Sequence, residues 1–349
     1  METLWFCFVA FLLAGYVILD GFDIGAGVIS LIGAKDSRER HQVLQSIGPY
    51  WHANEVWLLA GGGVLYLAFP KLYASAFSGF YLPLMIVLWL LILRGIALKF
   101  HDHIDSPIWQ PMWDRIFALS SLLLAVFYGA ALGNVVRGVP LKEDGYFFLP
   151  LFTHWGVVGD VGILDWYTVL SGVVALSALT MHGALWVAMK TTGDLETRTA
   201  RIAFVAGLAT AALTGVLTLA TFQIQPVVLD SFAARPWGWV LPIGAVAALA
   251  MMFGHLRAGR RVAAFVSSGF FLLAMMGSAA FSLFPFVLPS NVDPERGLTV
   301  WNTAAPGYGL RVAVLWFIPG MGLACAYAYY LYRRFAGKID DGEIATYGA

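Results

Sequence analysis

The sequence predicts an all-α integral membrane protein of nine transmembrane helices, with its N-terminus outside and its C-terminus in the cytoplasm. Three observations carry that expectation. Hydrophobic residues make up 60% of the 349 and charged residues only 12%, with a mean hydropathy of +0.76. Such a composition belongs to chains whose solvent is lipid. Nine apolar runs follow one another with brief polar insertions, so no soluble domain separates and residues 1–349 read as one transmembrane domain. Lys and Arg, finally, fall on alternate connections.

The runs extend roughly from Leu4 to Ile32, Gly48 to Phe69, Ser75 to Leu98, Trp113 to Val136 and Leu164 to Met189. Four more follow, from Ala200 to Phe222, Trp237 to Gly254, Val262 to Phe286 and Leu310 to Tyr332. At about 1.5 Å per residue the first covers roughly 40 Å, enough to cross a bilayer with some tilt. It opens with Glu2 and no Lys or Arg, and it is too long for the apolar core of a signal peptide, so it is read as a span. Gly21, Gly25 and Gly27 in this run, and Gly61, Gly62 and Gly63 in the second, suit close helix approach. The seventh run is the shortest. The longest connections are about Arg137 to Gly162 and Val287 to Gly309.

With the N-terminus outside, the inner connections receive Lys35, Arg38, Arg40, Arg94, Lys99, Arg115, Lys190, Arg198, Arg201, Arg257, Arg260, Arg261, Arg333, Arg334 and Lys338. The outer side keeps Lys71, Arg137, Lys142, Arg235, Arg296 and Arg311. Fifteen of the 21 basic residues therefore lie inside, as the positive-inside rule requires. An eight-span reading would put the C-terminal basic cluster outside.

Ile18–Gly27, ILDGFDIGAG, breaks the apolar pattern with Asp20 and Asp23. A carboxylate at a membrane-helix centre costs about 2.5–3.5 kcal/mol, and residues three apart share a face. Either the pair reaches interfacial water from a helix end, or it builds a polar site within a bundle. The assigned orientation puts Asp20 and Asp23 in the inner half of the first span and His52 and Glu55 in the inner half of the second. Arg94 falls near the inner end of the third. Asp114 opens the fourth, where a carboxylate also meets the positive end of the helix dipole. Four spans thus bring ionisable groups to one depth. Crowded carboxylates in a low dielectric cannot all be ionised, and such clusters serve as proton relays. The same residues could instead be ties between helices, with Arg94 paired to an acid. Both readings stand at this point.

Other classes find little support. Net charge is zero and there is no basic block, which argues against nucleic acid as a partner. Cys7 and Cys325 form no CxxC or CxxCH and read as packing residues. No nucleophile–base set, phosphate loop or HExxH metal motif occurs. His52 and His182 could each ligate a haem, but nothing marks them as a pair, and a solitary His182 reads as hydrogen-bonded within the bundle. His41, His101, His103 and His255 read as solvated at the inner interface and His154 as part of an outer loop.

LDGFDIGAG at Leu19–Gly27, WHANEVWLLAGGG at Trp51–Gly63, AFP at Ala68–Pro70 and AFSGFYLP at Ala76–Pro83 are similar to the first half of subunit II of cytochrome bd-type oxidases. Arg94, MWD at Met112–Asp114, GNVVRGVP at Gly133–Pro140, FPFVLPS at Phe284–Ser290 and TVW at Thr299–Trp301 continue the resemblance in order, over essentially the whole chain. It implies one half of a heterodimer in the bacterial cytoplasmic membrane that oxidises quinol and reduces O2 to water. Nine helices are implied, as two four-helix bundles and one peripheral helix. The haems, b and d or b-type only, are expected on subunit I and none on this chain. Small single-helix subunits and membrane lipids are further expected partners. The resemblance also implies a proton path from the cytoplasm through Asp20, Asp23 and the positions around Asn54 and Glu55. A structural quinone or lipid is implied near Trp51 and Arg94, with Asp114 grouped among these structural or lipid-binding residues. Many relatives carry aspartate after the tryptophan where this chain has His52. Either the relay here runs through His52 and Glu55, or the path is weakened. A neutral His52 is also expected to relieve repulsion among Asp20, Asp23 and Glu55. The alternative from another class is a proton-coupled secondary transporter, followed by a purely structural membrane partner.

Overall fold

A computed structural model describes residues 1–339. In chain order its α-helices are α1 (Glu2–Ile32), α2 (Ser37–Ile47), α3 (Trp51–Ala68), α4 (Pro70–Gly79), α5 (Tyr81–Phe100) and α6 (Trp109–Arg137). They continue as α7 (Trp166–Lys190), α8 (Gly193–Ile224), α9 (Val227–Ala234), α10 (Val240–Arg257), α11 (Arg261–Leu283) and α12 (Gly307–Arg334). A two-stranded antiparallel ribbon, β1 (Phe286–Leu288) with β2 (Leu298–Thr299), lies between the last two. Among the described residues eight helices are long and apolar enough to cross a membrane: α1, α5, α6, α7, α8, α10, α11 and α12. At 18 residues α3 is of comparable length to α10, but His52, Asn54 and Glu55 in its first turns make it less apolar.

α1 is the axis of the structure. It packs on α3 and α6 on one side and on α7 and α11 on the other. α5 adds to α6, α8 adds to α7, and α10 adds to α11, whereas α12 lies at the edge, touching α1 through Leu310 and Phe317 and α3 through Tyr332, with Leu315, Trp316 and Leu323 exposed. The α1–α7 crossing depends on two glycines. A Cβ on Gly25 would stand 2.0 Å from the Leu179 carbonyl oxygen, and one on Gly183 would stand 2.2 Å from the Gly25 carbonyl carbon. Backbone touches backbone there, so no side chain fits.

The connections gather at two ends. At one, Arg198 donates to Gly33 O at 2.6 Å and pairs with Glu39, while Lys338 and Arg261 both reach Glu196. Lys190 Nζ donates there to the Tyr50 hydroxyl and the Phe335 carbonyl. At the other end Trp5 donates to Leu310 O, Ala305 N–H to Ala68 O, and Arg235 to Phe284 O. Most of the basic connections lie at the first, referred to below as the basic end.

The expected boundaries change in several places. The run from Ser75 to Leu98 is two helices, α4 and α5, meeting at Phe80. Pro83 supplies no N–H for the Gly79 carbonyl, which instead accepts from Leu149 N–H at 3.3 Å. α6 begins at Trp109 and α8 at Gly193, each earlier than its apolar run. The run from Trp237 starts as a single 3-10 turn, Pro236–Trp239, before α10. α2 and α9 interrupt stretches read as connections. α2 is fixed by Asp36, whose carboxylate accepts from Glu39 N–H at 2.8 Å, an N-cap on a mostly polar helix.

The glycine crossing is testable. Gly25→Ala and Gly183→Ala should each destabilise the protein by at least about 1–3 kcal/mol, the ordinary cost of overpacking. Gly62→Ala, whose Cβ would meet open space, should not. Thermal unfolding in detergent measures the difference.

Candidate functional site

Asp20 and Arg94 form a fork toward the basic end of α1. Arg94 Nη1 donates to Asp20 Oδ2 at 2.9 Å and Nη2 to Oδ1 at 2.5 Å. Asp20 is 0% and Arg94 2% exposed. Both carboxylate oxygens are held by one guanidinium, the geometry that best offsets desolvation of a buried pair. One turn back, the Tyr16 hydroxyl meets that of Tyr128 at 2.9 Å and joins α1 to α6.

Asp23, one turn on, is equally buried but differently held. Its Oδ2 accepts from Asn54 Nδ2 at 2.8 Å, while Oδ1 has no hydrogen-bond partner among the described residues. Asn54 Oδ1 in turn accepts from the Tyr332 hydroxyl at 2.9 Å, so α1, α3 and α12 share one chain of bonds. Half-buried Glu55 lies within electrostatic reach of Arg94 and Asp20, and Asp23 feels Asp20, Arg94 and Glu55. Of the two aspartates, Asp23 is the one with an oxygen left over for a proton.

The structure brings Asp20, Asp23, Glu55 and Arg94 together and leaves His52 and Asp114 out. The buried α3 residues are Trp51, Asn54, Gly61 and Ala68, of which Asn54 reaches Asp23 and Gly61 lies against Leu12 and Leu13 of α1. His52 lies two positions from Asn54, hence on nearly the opposite side of the helix. It is exposed and stacks on Trp51, ring centroids 3.6 Å apart. Trp51 is buried beside Gly95, with Lys99 Nζ 6.0 Å from its ring centre. Asp114 belongs to a second group at the basic end. Arg40 Nε stands 3.2 Å from its Oδ2 and His101 Nε2 3.1 Å from its Oδ1. His101, expected in solvent, is 6% exposed because α6 brings Asp114 over it.

Other buried groups escaped the sequence reading. Arg137, placed there with the outer basic residues, is buried and pairs with Asp165. It also donates to Asn134 Oδ1 at 2.8 Å and to the Gly162 carbonyl at 3.1 Å. Asp165 also caps α7, accepting from the Tyr167 and Thr168 N–H groups, so this is a fully engaged structural latch. The hint lay in GNVVRGVP, whose arginine ends a helix. Tyr16, Tyr128 and Tyr332 gave no signal that separated them from interfacial aromatics. His182 is enclosed as a bundle residue: Nδ1 meets Ser268 Oγ at 2.7 Å and Nε2 the Ile18 carbonyl at 3.0 Å.

The family model for cytochrome bd terminal oxidase subunit II matches residues 1–335. The probable cytochrome oxidase subunit 2 of Haemophilus influenzae is 31% identical, over 99% of this chain and 96% of its own. The cytochrome bd ubiquinol oxidase subunit 2 of Bacillus subtilis is 31% identical, over 99% of both chains. The cytochrome bd-I ubiquinol oxidase subunit 2 of Escherichia coli K12 is 29% identical, over 99% and 96%. A chain of the bd oxidase structure from Geobacillus thermodenitrificans superposes with a TM-score of 0.76 at 18% identity, covering 96% of this chain and 98% of that one. That last likeness is one of fold.

The fork makes a specific thermodynamic prediction. Arg94→Met or Asp20→Leu alone strands a buried charge and should cost about 3–5 kcal/mol. The double variant should lose less than the sum of the two. A double-mutant cycle on unfolding in detergent checks the coupling; additive losses would dissolve the pair as a unit.

Proposed function

Because the chain belongs to the cytochrome bd terminal oxidase subunit II family, we propose that it is the haem-free second subunit of a quinol-oxidising, O2-reducing oxidase in the bacterial cytoplasmic membrane. It scaffolds the haem-bearing subunit I and conducts protons toward it from the cytoplasm. The haems, b and d or b-type only, lie on that partner and supply the redox chemistry when bound there. In this reading α3 is the ninth crossing, the basic end faces the cytoplasm, and small single-helix subunits join at the edges. The packing supports two four-helix groups, α1 with α3, α5 and α6 and α7 with α8, α10 and α11, beside a peripheral α12.

The observation that carries the proton role is the unequal treatment of two aspartates on adjoining turns. Asp20 is closed by Arg94, which leaves the neighbourhood close to neutral without fixing a proton anywhere. Asp23 keeps one oxygen open and has a single amide donor. A carboxyl held that way can take up a proton and release it without breaking an ion pair. Glu55, half-buried on the neighbouring helix, is the group that connects it to water or to the partner. His52, exposed on the far side of α3, is a separate relay group at the surface of this chain. Since the Arg94 guanidinium terminals are spent on Asp20, a structural quinone or lipid would contact this chain through the Trp51–His52 stack instead.

The geometry favours this reading over a proton-coupled transporter. Transporters use broken helices around a midplane site, whereas α1 and α3 run unbroken through the acid positions, including Gly61–Gly63.

Replacing Asp23 or Glu55 by Leu in the assembled complex should lower oxygen uptake about tenfold or more while haem content stays normal, as expected when a proton-transfer group is removed. Full uptake with normal haem would make the cluster purely structural. His52→Ala should also slow turnover, and His52→Asp should restore it, both read by the same oxygen electrode.

A further inference from the structure

A group outside the proposed proton path has the arrangement of a metal site. At the basic end, α2 carries His41 and the turn after α5 carries His101 and Asp102. One ligand atom from each lies within 4.8 Å of the others. His101 Nδ1 is 2.6 Å and His41 Nδ1 3.8 Å from the same Asp102 oxygen, Oδ1. Both imidazoles thus turn the same nitrogen toward one carboxylate oxygen, across sixty residues of sequence.

The opposite nitrogens are engaged as well. His101 Nε2 faces Asp114 Oδ1 at 3.1 Å, and Asp114 is itself held by Arg40. His41 Nε2 accepts from the Gln45 amide nitrogen at 3.0 Å, which fixes the ring. Metal-bound histidines characteristically give their second N–H to a carboxylate or carbonyl, which fixes the ring and leaves the other nitrogen's lone pair for the metal. His101 has a carboxylate placed for that role, and the convergence of two histidines from separate elements on one carboxylate oxygen is more than an ion-pair link between His101 and Asp102 needs, since that link has no use for His41.

We propose that His41 and His101, through Nδ1, and Asp102, through Oδ1, bind one divalent transition-metal cation of the zinc type. Two imidazoles and a carboxylate match the preferences of Zn2+ and leave at least one position for water. Bond lengths of about 2.0–2.2 Å are reached by spreading the His101–Asp102 contact and drawing in His41. Binding displaces the proton shared between His101 and Asp102 and moves or releases the one on His41 Nδ1. Asp102 is half-exposed and His41 partly so, which gives the ion a route from water, while buried His101 anchors it. The bound ion would clasp α2, which joins α1 to α3, onto the turn between α5 and α6.

The test uses the whole detergent-purified complex, stripped with chelator and dialysed against Zn2+, with Co2+ as a spectroscopic probe. Wild type should retain one more zinc per complex than His41→Ala or Asp102→Asn, and its Co2+ form should show ligand-field bands that both variants lack. Asp114→Asn should keep the stoichiometry and weaken affinity about 10–100-fold, as loss of a ring-orienting partner does. Both tested ligands are partly exposed, and monodispersity on gel filtration confirms that the variants fold. Equal zinc content and equal Co2+ spectra in wild type and the folded variants would overturn the proposal, leaving the group an ion-pair tie.

Discussion

The structure is organised by the need to close a charge pair inside an apolar bundle. Removing a carboxylate and a guanidinium from water costs several kcal/mol for each ion after relaxation, and only close, well-oriented contact offsets it. Asp20 and Arg94 satisfy that demand with two hydrogen bonds in a planar fork. The fork fixes more than its own energy. It sets the height of α5 against α1 and the rotation of α1 about its axis. On the opposite side, α1 meets α7 backbone to backbone at Gly25 and Gly183. With both faces constrained, the next turn has little freedom, and Asp23 is carried to Asn54 on α3.

Much of this was legible in the residues, because apolar length and charge placement are local quantities. The membrane class, most helices, and the suspicion attached to Asp20, Asp23, Glu55 and Arg94 came from them. What was hidden depends on neighbours. α2 is short and mostly polar, so hydropathy passes over it, although Asp36 and Glu39 carried the signature of a capped helix start. The break at Phe80 lies inside a continuous apolar run and is visible only through the proline that leaves the Gly79 carbonyl to Leu149. Arg137 looked like an ordinary outer charge because its partner, Asp165, is 28 residues away.

His52 shows the limit most clearly. Spacing of three from Glu55 suggested a shared face and a shared cluster. Burial along α3 follows Trp51, Asn54 and Gly61 instead, and Asn54, uncharged and easily overlooked, is the residue that reaches Asp23. Helical spacing states which residues are near one another on a helix. It does not state which of them faces the neighbour, and that depends on the partner helix.

This placement changes what the histidine at position 52, where the resemblance implies aspartate, does for the cluster. A neutral side chain there was expected to ease repulsion among Asp20, Asp23 and Glu55. His52 is on the outer side of α3 and stacked on Trp51, so it contributes little to the balance inside. Arg94 supplies the compensating charge, and it does so through Asp20 whatever stands at position 52. The inner group and the surface group are therefore separable: one is bound by the cost of burying charge and tolerates little change, while the other sits outside that constraint. A titratable residue at the exposed position can vary between aspartate and histidine without disturbing the fork, because the helix keeps the two on different faces.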